Sequence, residues 1–369
     1  MQILVTGAAG FIGKNLQLRL QEMGHEVLPY LRGDTDESLH TQLCIADVVI
    51  HLAGENRPVD VHGFITGNID LTSRLCKMIK KLGRPLPVVF ASSAQAMLDN
   101  PYGQSKLVAE DLIAECAATI GCRARIYRFP GVFGKWCKPN YNSVVATFCY
   151  NIARDLPILN SDPTYSLRLV YVDDVVTELI DAAFHGPPGF SEGRVQPEYV
   201  ITLGELAERI TSFRDSRKNL ITDRTGTGLI RALYATYVSY LPPESFTYDL
   251  PLHGDARGVF VEMLKTPDCG QFSYFTTRPG VTRGGHYHHS KIEKFLVIRG
   301  QARFGFRNVL TGEVFHLEVS GECPRVVETV PGWTHDITNT GQEEALVVLW
   351  ANEVFDRDRP DTIASKVKE

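Results

Sequence analysis

No uninterrupted apolar run in this 369-residue chain approaches the roughly 20 residues that a membrane-spanning helix requires. An excess of cations is also missing: 38 Lys and Arg stand against 43 Asp and Glu, a net charge of -5, without the basic footprint of nucleic-acid binding. The eight cysteines, Cys44, Cys76, Cys116, Cys122, Cys137, Cys149, Cys269 and Cys323, form neither a paired metal spacing nor a compact disulfide framework. Buried, reduced thiols are expected of them. The N-terminus enters Met1-Gln-Ile-Leu-Val-Thr-Gly directly, without a charged leader, an apolar core or a cleavage site. These absences predict a soluble cytoplasmic protein with neither a nucleic-acid nor a membrane partner.

What is present suits two domains. A β-rich run, Gln2 to Val5, meets Thr6-Gly7-Ala-Ala-Gly10-Phe11-Ile12-Gly13 and then a helical stretch from Lys14 to Met23. Further strands are expected at Glu26 to Leu31, Val48 to Leu52 and Pro87 to Ser92, with helical patterns between them. That alternation predicts an α/β fold, a doubly wound parallel sheet of Rossmann type. From about Pro242-Pro243 the long helical periods disappear, and short Phe/Tyr/Val/Thr runs separated by glycines predict an all-β barrel. The expected domains are residues 1–242 and 243–369, with 215–239 a helical connection.

Glycines at Gly7, Gly10 and Gly13 permit a tight turn, approach of backbone N–H groups to a pyrophosphate, and close helix-on-sheet packing. The second strand ends in Pro29-Tyr30-Leu31-Arg32-Gly33, a cation where a carboxylate would grip a free ribose, so Arg32 favours a 2′-phosphate and NADP(H). In Asn100-Pro101-Tyr102-Gly-Gln-Ser-Lys106, Tyr102 and Lys106 share one helical face. The ammonium is expected to lower the phenol pKa and so prepare it for proton exchange with a carbonyl or alcohol oxygen during hydride transfer. Ser93, at a strand end, can bond the same oxygen.

Together with His51-Leu-Ala53-Gly54, Asn68, Arg128-Phe-Pro-Gly-Val-Phe-Gly134 and Arg168-Leu-Val-Tyr-Val-Asp-Asp174, these motifs resemble the extended short-chain dehydrogenase/reductase family over residues 1 to about 240. That family often acts on nucleotide-diphosphate sugars. The resemblance implies catalytic roles for Ser93, Tyr102 and Lys106. It places Gly7, Gly10, Phe11, Ile12, Gly13, Arg32, His51, Ala53, Asn68, Tyr102 and Lys106 at the cofactor, and Arg168 at the substrate diphosphate. Ser93 and Tyr102 are closer in sequence than is customary there, which predicts a more open active site.

In the C-terminal third, Gly280-x5-His286-x-His288-x4-Glu293-x6-Gly300 and Pro331-Gly-x2-His335-x3-Asn339 resemble both motifs of the cupin superfamily, a double-stranded β-helix barrel that holds a metal inside. Residues two apart on a strand face one side, so His286 and His288 can both point inward while His289 faces away. Glu293 and His335 are expected from neighbouring strands. Zinc is the first expectation because the chemistry inferred below needs Lewis acidity without a redox change, although manganese, iron or nickel fits the same ligands. Asp255-Ala-Arg257-Gly258-Val-Phe260-Val-Glu262 and Arg283-Gly-Gly-His286-Tyr also look like the dTDP-4-keto-sugar 3,5-epimerases, metal-free cupins in which the histidine matching His286 is a general base. His286 is therefore either ligand or base.

A reductase and an epimerase share one requirement, a carbonyl beside an acidic C–H, and a 4-keto sugar nucleotide supplies both. End to end, including Phe133-Gly-Lys-Trp136-Cys-Lys138-Pro-Asn140-Tyr-Asn-Ser143, the chain resembles the bifunctional bacterial capsule and O-antigen enzymes on the UDP-N-acetyl-L-fucosamine pathway. The resemblance implies a UDP-2-acetamido-2,6-dideoxy-4-hexulose, a UDP-linked 4-keto-6-deoxy-HexNAc. It would be epimerised at carbon-3 and then reduced by NADPH at carbon-4 to the L-talose derivative. Lys138, Asn140, Arg168 and Arg257 are candidate substrate contacts. Cupin analogy implies a homodimer. The alternative is a reductase whose barrel is a structural or dimerising metal module.

Overall fold

A computed structural model of the protein describes residues 1–369 except 247, 289, 290, 310, 331, 359 and 369, and omits the side chain of 244. His289 and Pro331 thus lie outside the described residues. By contacts the chain divides into two compact units, 1–210 with 227–242, and 211–226 with 243–369. The expected 1–242 domain differs from this at 211–226. The helix Leu203–Asn219 is followed by an extended stretch in which Ile221 bridges Lys265, so these residues join the β-rich unit. Gly226 precedes and Gly228 opens a separate helix, Gly228–Ser239.

The first unit is built on six parallel strands in the order Glu26–Tyr30, Gln2–Thr6, Val48–His51, Val88–Ser93, Ala124–Phe129 and Phe190–Gly193. Alternation along each strand divides its core in two. Ile3, Val5, Ile50, Val89 and Tyr127 pack with Leu16 and Leu20 of helix Phe11–Glu22 and with Val175 and Leu179 of helix Val172–His185. On the opposite face Leu4, Val49, Phe90 and Ile126 pack with Leu39, Leu75, Ile79 and Ile113 from three other helices. Strands buried on both faces are what a parallel sheet covered by helices requires. Strand order reverses beside Gln2–Thr6, which opens a crevice at the carboxyl ends of the strands. A smaller sheet, Gly131–Phe133, Ser166–Tyr171 and Tyr199–Thr202, completes the unit.

In the second unit every ladder between named strands is antiparallel. Six strands form one sheet and five the other. Phe275, Phe295, Val297, Val347 and Leu349 from the first meet Ala302, Phe304, Phe306, Val319 and Ile337 from the second, and this shared interior is the barrel core. The segment Ile363–Ala364 adds a last short strand beside His286 and Tyr287, and Val367 beyond it is buried.

All eight cysteines are free thiols, but only Cys76, Cys116, Cys122 and Cys149 are buried. Cys44, Cys269 and Cys323 are exposed and Cys137 is half-buried, which corrects the expectation of uniform burial. Among the described residues no helix is long and apolar enough to cross a membrane. Phe304 is 1% exposed inside the barrel. Phe304→Ala is expected to lower stability by about 3–5 kcal/mol, read from denaturant unfolding followed by near-ultraviolet dichroism; a loss below about 1 kcal/mol would contradict this core assignment.

Candidate functional site

The glycine turn is sterically enforced. Gly7 has φ +68°, and a Cβ there would lie 2.7 Å from the Ala53 nitrogen; one on Gly13 would lie 2.4 Å from the Gly7 carbonyl oxygen. Helix Phe11–Glu22 starts after Gly10 with no side chain capping its first N–H groups, which leaves them available to an anion.

His51, expected at the cofactor, has no exposed surface. Its Nδ1 lies 2.6 Å from Thr6 Oγ1 and its Nε2 3.0 Å from Thr72 Oγ1. Thr72 donates to the Asn68 carbonyl and Ala53 N–H donates to Thr6 Oγ1, so His51 carries its proton on Nε2 and accepts from Thr6. Burial, with the Lys106 charge, lowers its pKa to about 3. His51 thus positions Thr6 and Ala53 and is not itself a ligand contact; the sequence pattern could not reveal that the ring points into the protein.

Asn68 sits in a π-helical turn, Ile65–Asp70, a feature frequent at functional sites. Its Oδ1 accepts from Glu55 N–H, and its Nδ2 donates to the Glu55 carbonyl and to Ser105 Oγ. Arg32 reaches Glu55 Oε2 at 2.6 Å while remaining 88% exposed.

Helix Pro101–Ile120 is fixed by the Asn100 cap on Gly103 N–H, by Pro101 in its first turn, and by Gly121 at φ 65° after its end. It carries Tyr102 and Lys106 one turn apart. Ser93 lies beside the Tyr102 phenol and favours its ionised form. Burial raises the Tyr102 pKa and Ser93 offsets only part of that, so the expected lowering by the ammonium is corrected. Lys106 instead donates to the Ala91 carbonyl at 2.8 Å, and burial draws it down to about 8 against the opposing charge of Glu110. A Cβ on Gly54 would lie 3.2 Å from Lys106 Nζ and 2.9 Å from Asn68 Oδ1, so Ser93, Tyr102, Lys106, Gly54 and Asn68 converge. Glu110, absent from the sequence-based set, is buried and holds Arg128 through both carboxylate oxygens and the Ser92 hydroxyl through one.

Arg168 is exposed and paired with Glu198 at 2.5 Å. Tyr141 donates to Asn56 Oδ1 at 3.1 Å, with Lys138 Nζ 5.1 Å above its ring, which ties the 138–141 segment to the loop after Gly54. Asn140 adopts φ 53° beside Lys138.

In the barrel, His286, His288, Glu293 and His335 each offer a ligand atom, all within 4.8 Å of one another. His286 and His335 are paired across adjacent strands, whereas Glu293 begins a strand of the facing sheet, a correction to the neighbouring-strand expectation. His288 Nδ1 meets the Asp361 carbonyl, leaving Nε2 directed at Glu293 Oε2, 3.2 Å away. Neither nitrogen of buried His335 makes a well-aligned hydrogen bond: Nδ1 has no partner and Nε2 only faces Glu293 Oε2 at 3.3 Å, an arrangement that a cation between them would satisfy. Burial and neighbouring His335 hold His286 down to about 4, the neutral state that a metal ligand needs. Burial would raise Glu293, but His288, His335 and Lys291 pull it well below the carboxylate range. The residues therefore fit a divalent cation. Lys291, two positions before Glu293 and readable by the same alternation, was missed.

A cleft of about 550 Å³ opens on the same unit, lined by Asp255, Arg257, Phe260 and Arg283. Arg257 forks onto Asp255, and the buried Nε of Arg283 has no partner.

Residues 3–189 match the NAD dependent epimerase/dehydratase family and residues 253–363 the polysaccharide biosynthesis C-terminal domain. The UDP-2-acetamido-2,6-beta-L-arabino-hexul-4-ose reductase of Pseudomonas aeruginosa is 53% identical over 370 residues, covering 100% of both chains. The capsular polysaccharide assembling protein CapF from Staphylococcus aureus superposes with a TM-score of 0.91 at 40% identity, over 99% of this chain and 100% of the other. CapF with the inhibitor 3-isopropenyl-tropolone gives 0.86 at 37%, over 99% and 100%. The Thermus thermophilus UDP-glucose 4-epimerase complex with NAD shares the first unit's fold alone, with a TM-score of 0.55 at 19% identity over 65% of this chain and 99% of the other.

Between pH about 8 and the ordinary lysine value of about 10.4, the unfolded chain binds a proton at Lys106 that the native state does not, so this residue makes stability rise with pH across that window. Relative to Lys106→Met, wild-type stability in denaturant titrations is expected to increase from pH 8 to pH 10; parallel profiles would contradict the burial of this ammonium.

Proposed function

The chain belongs to the family of the UDP-2-acetamido-2,6-beta-L-arabino-hexul-4-ose reductase, and from that premise we propose that it is a two-site enzyme of polysaccharide biosynthesis acting on a UDP-linked 4-keto-6-deoxy-HexNAc. The first unit reduces the carbon-4 ketone and the second inverts carbon-3. The observation that carries the reductive half is the placing of Ser93 beside the Tyr102 phenol, with Lys106 one helical turn away.

Hydride arriving at carbon-4 leaves negative charge on its oxygen. Tyr102, whose raised pKa keeps it protonated, delivers the proton, and Ser93 orients the same oxygen. Lys106 supports the phenolate left behind. NADPH is the proposed reductant, because Arg32 can exchange the Glu55 carboxylate for a 2′-phosphate. Arg168, Lys138 and Asn140 are assigned to the nucleotide and sugar. Both reactants are highly charged and do not cross membranes unaided, which favours the cytoplasm as the place of reaction.

The second half rests on His286, His288, Glu293 and His335, which would hold a divalent metal, zinc first. Such an ion supplies Lewis acidity toward a keto oxygen, which makes the adjacent C–H acidic. In the related CapF the inhibitor is a tropolone, an oxygen chelator, in keeping with a metal-centred site. Arg257 and Arg283 suit the diphosphate in the neighbouring cleft. Inversion must precede reduction, since the carbon-3 proton loses its activation once carbon-4 is an alcohol.

The test is NADPH oxidation with the UDP-linked 4-keto sugar, with the product configuration read by NMR. Inverted carbon-3 and reduced carbon-4 are expected, with Tyr102→Phe slower by about 100-fold or more. Absence of oxidation would overturn the reductase, and a retained carbon-3 the epimerase.

A further inference from the structure

The two oxygens of Glu293 face different partners. Oε2 is turned toward the imidazoles, 3.2 Å from His288 Nε2 and 3.3 Å from His335 Nε2. Oε1 is 3.2 Å from the ammonium of Lys291, a side chain only 8% exposed. A lysine buried to this degree is unusual and must be paired. Its place is fixed from two sides: the Lys291 N–H donates to Asp361 Oδ2 at 2.8 Å, and Nζ lies 5.7 Å from the centre of the Phe355 ring. The carbonyl of the same Asp361 meets His288 Nδ1. One residue of the C-terminal segment therefore sets both the tautomer of a ligand imidazole and the backbone that presents the ammonium.

We propose that Lys291 is a positioning residue that holds Glu293 to one-oxygen ligation and so keeps a coordination position free for a sugar oxygen. This rests on the reading of the four residues as a divalent-metal site. A carboxylate ligates through one oxygen or both, and the choice belongs to the groups that bond its outer oxygen. With Oε1 committed to Lys291, the donors are three imidazole nitrogens and Oε2. Without the ammonium, Oε1 is released to turn inward as a fifth donor, occupying the place a substrate oxygen needs. The competing role, plain neutralisation of a buried carboxylate, would affect stability while leaving the ligand number unchanged.

Full-length protein loaded with Co²⁺ distinguishes the two, since the visible bands of cobalt(II) weaken as its coordination number rises. Wild type is expected to give the strong bands of a low-coordinate site. Lys291→Met is expected to weaken them several-fold and to change Co²⁺ affinity by about 10–100-fold, while Lys291→Arg, which retains a charged donor, keeps the wild-type spectrum. Unchanged bands and affinity in the folded Met variant would overturn the assignment and leave the metal site intact. Should the Met variant fail to fold, the other two proteins decide: weak, six-coordinate bands in wild type, or their appearance in the Arg variant, overturn it. Wild type that takes up no Co²⁺ overturns the metal reading and the assignment with it.

Discussion

Taking ionisable side chains out of water is the constraint on which both sites depend. Charge withdrawn from solvent must be neutralised or matched, and each unit does this with short, fixed contacts. In the first unit Lys106 gives up its proton more readily than an exposed lysine and is tethered to the Ala91 carbonyl, while Glu110 is held by Arg128 and Ser92. His51 meets the same constraint by remaining neutral between two threonines. In the second unit Glu293 stays ionised because imidazoles and an ammonium surround it. These arrangements deliver reactive groups at set positions, which is the preorganisation that catalysis draws on.

The parts legible from the sequence were those whose chemistry is local. A glycine turn, a Tyr and Lys one helical turn apart, and two histidines two residues apart are short-range patterns, and the structure brings each set together. What escaped was long-range. The contact between His288 and Asp361 spans 73 residues, and no spacing rule anticipates it. Glu293 and His335 were expected from neighbouring strands, yet Glu293 reaches the site from the facing sheet, because a barrel interior is equally close to both. His51 carried the composition of a cofactor contact, but strand alternation cannot tell an inward imidazole from one at the crevice. Part of the 215–239 stretch, read as a helical connection, joins the β-rich unit instead, through backbone bonds of Leu220 and Thr222 with Lys265 and an ion pair of Arg224 with Asp268.

Chemistry supplies the link between the two units. Under the proposed function, the carbonyl that accepts hydride is the one that acidifies its neighbouring C–H, so a single ketone would give both sites their work and fix their order. The Tyr102 group needs only a carbonyl oxygen and a reduced nicotinamide. The proposed proton transfer in the barrel would need only that same oxygen and a place for a proton, without the cofactor.

The independence of the proton-transfer half from the hydride-transfer half is the central claim and can be measured directly. Full-length Tyr102→Phe protein, incubated in D₂O with the UDP-linked 4-keto-6-deoxy-HexNAc and no nicotinamide, is predicted to place deuterium at carbon-3 at the wild-type rate, read by NMR and mass. Carbon-3 that retains its proton, in this variant and in wild type alike, would contradict the account.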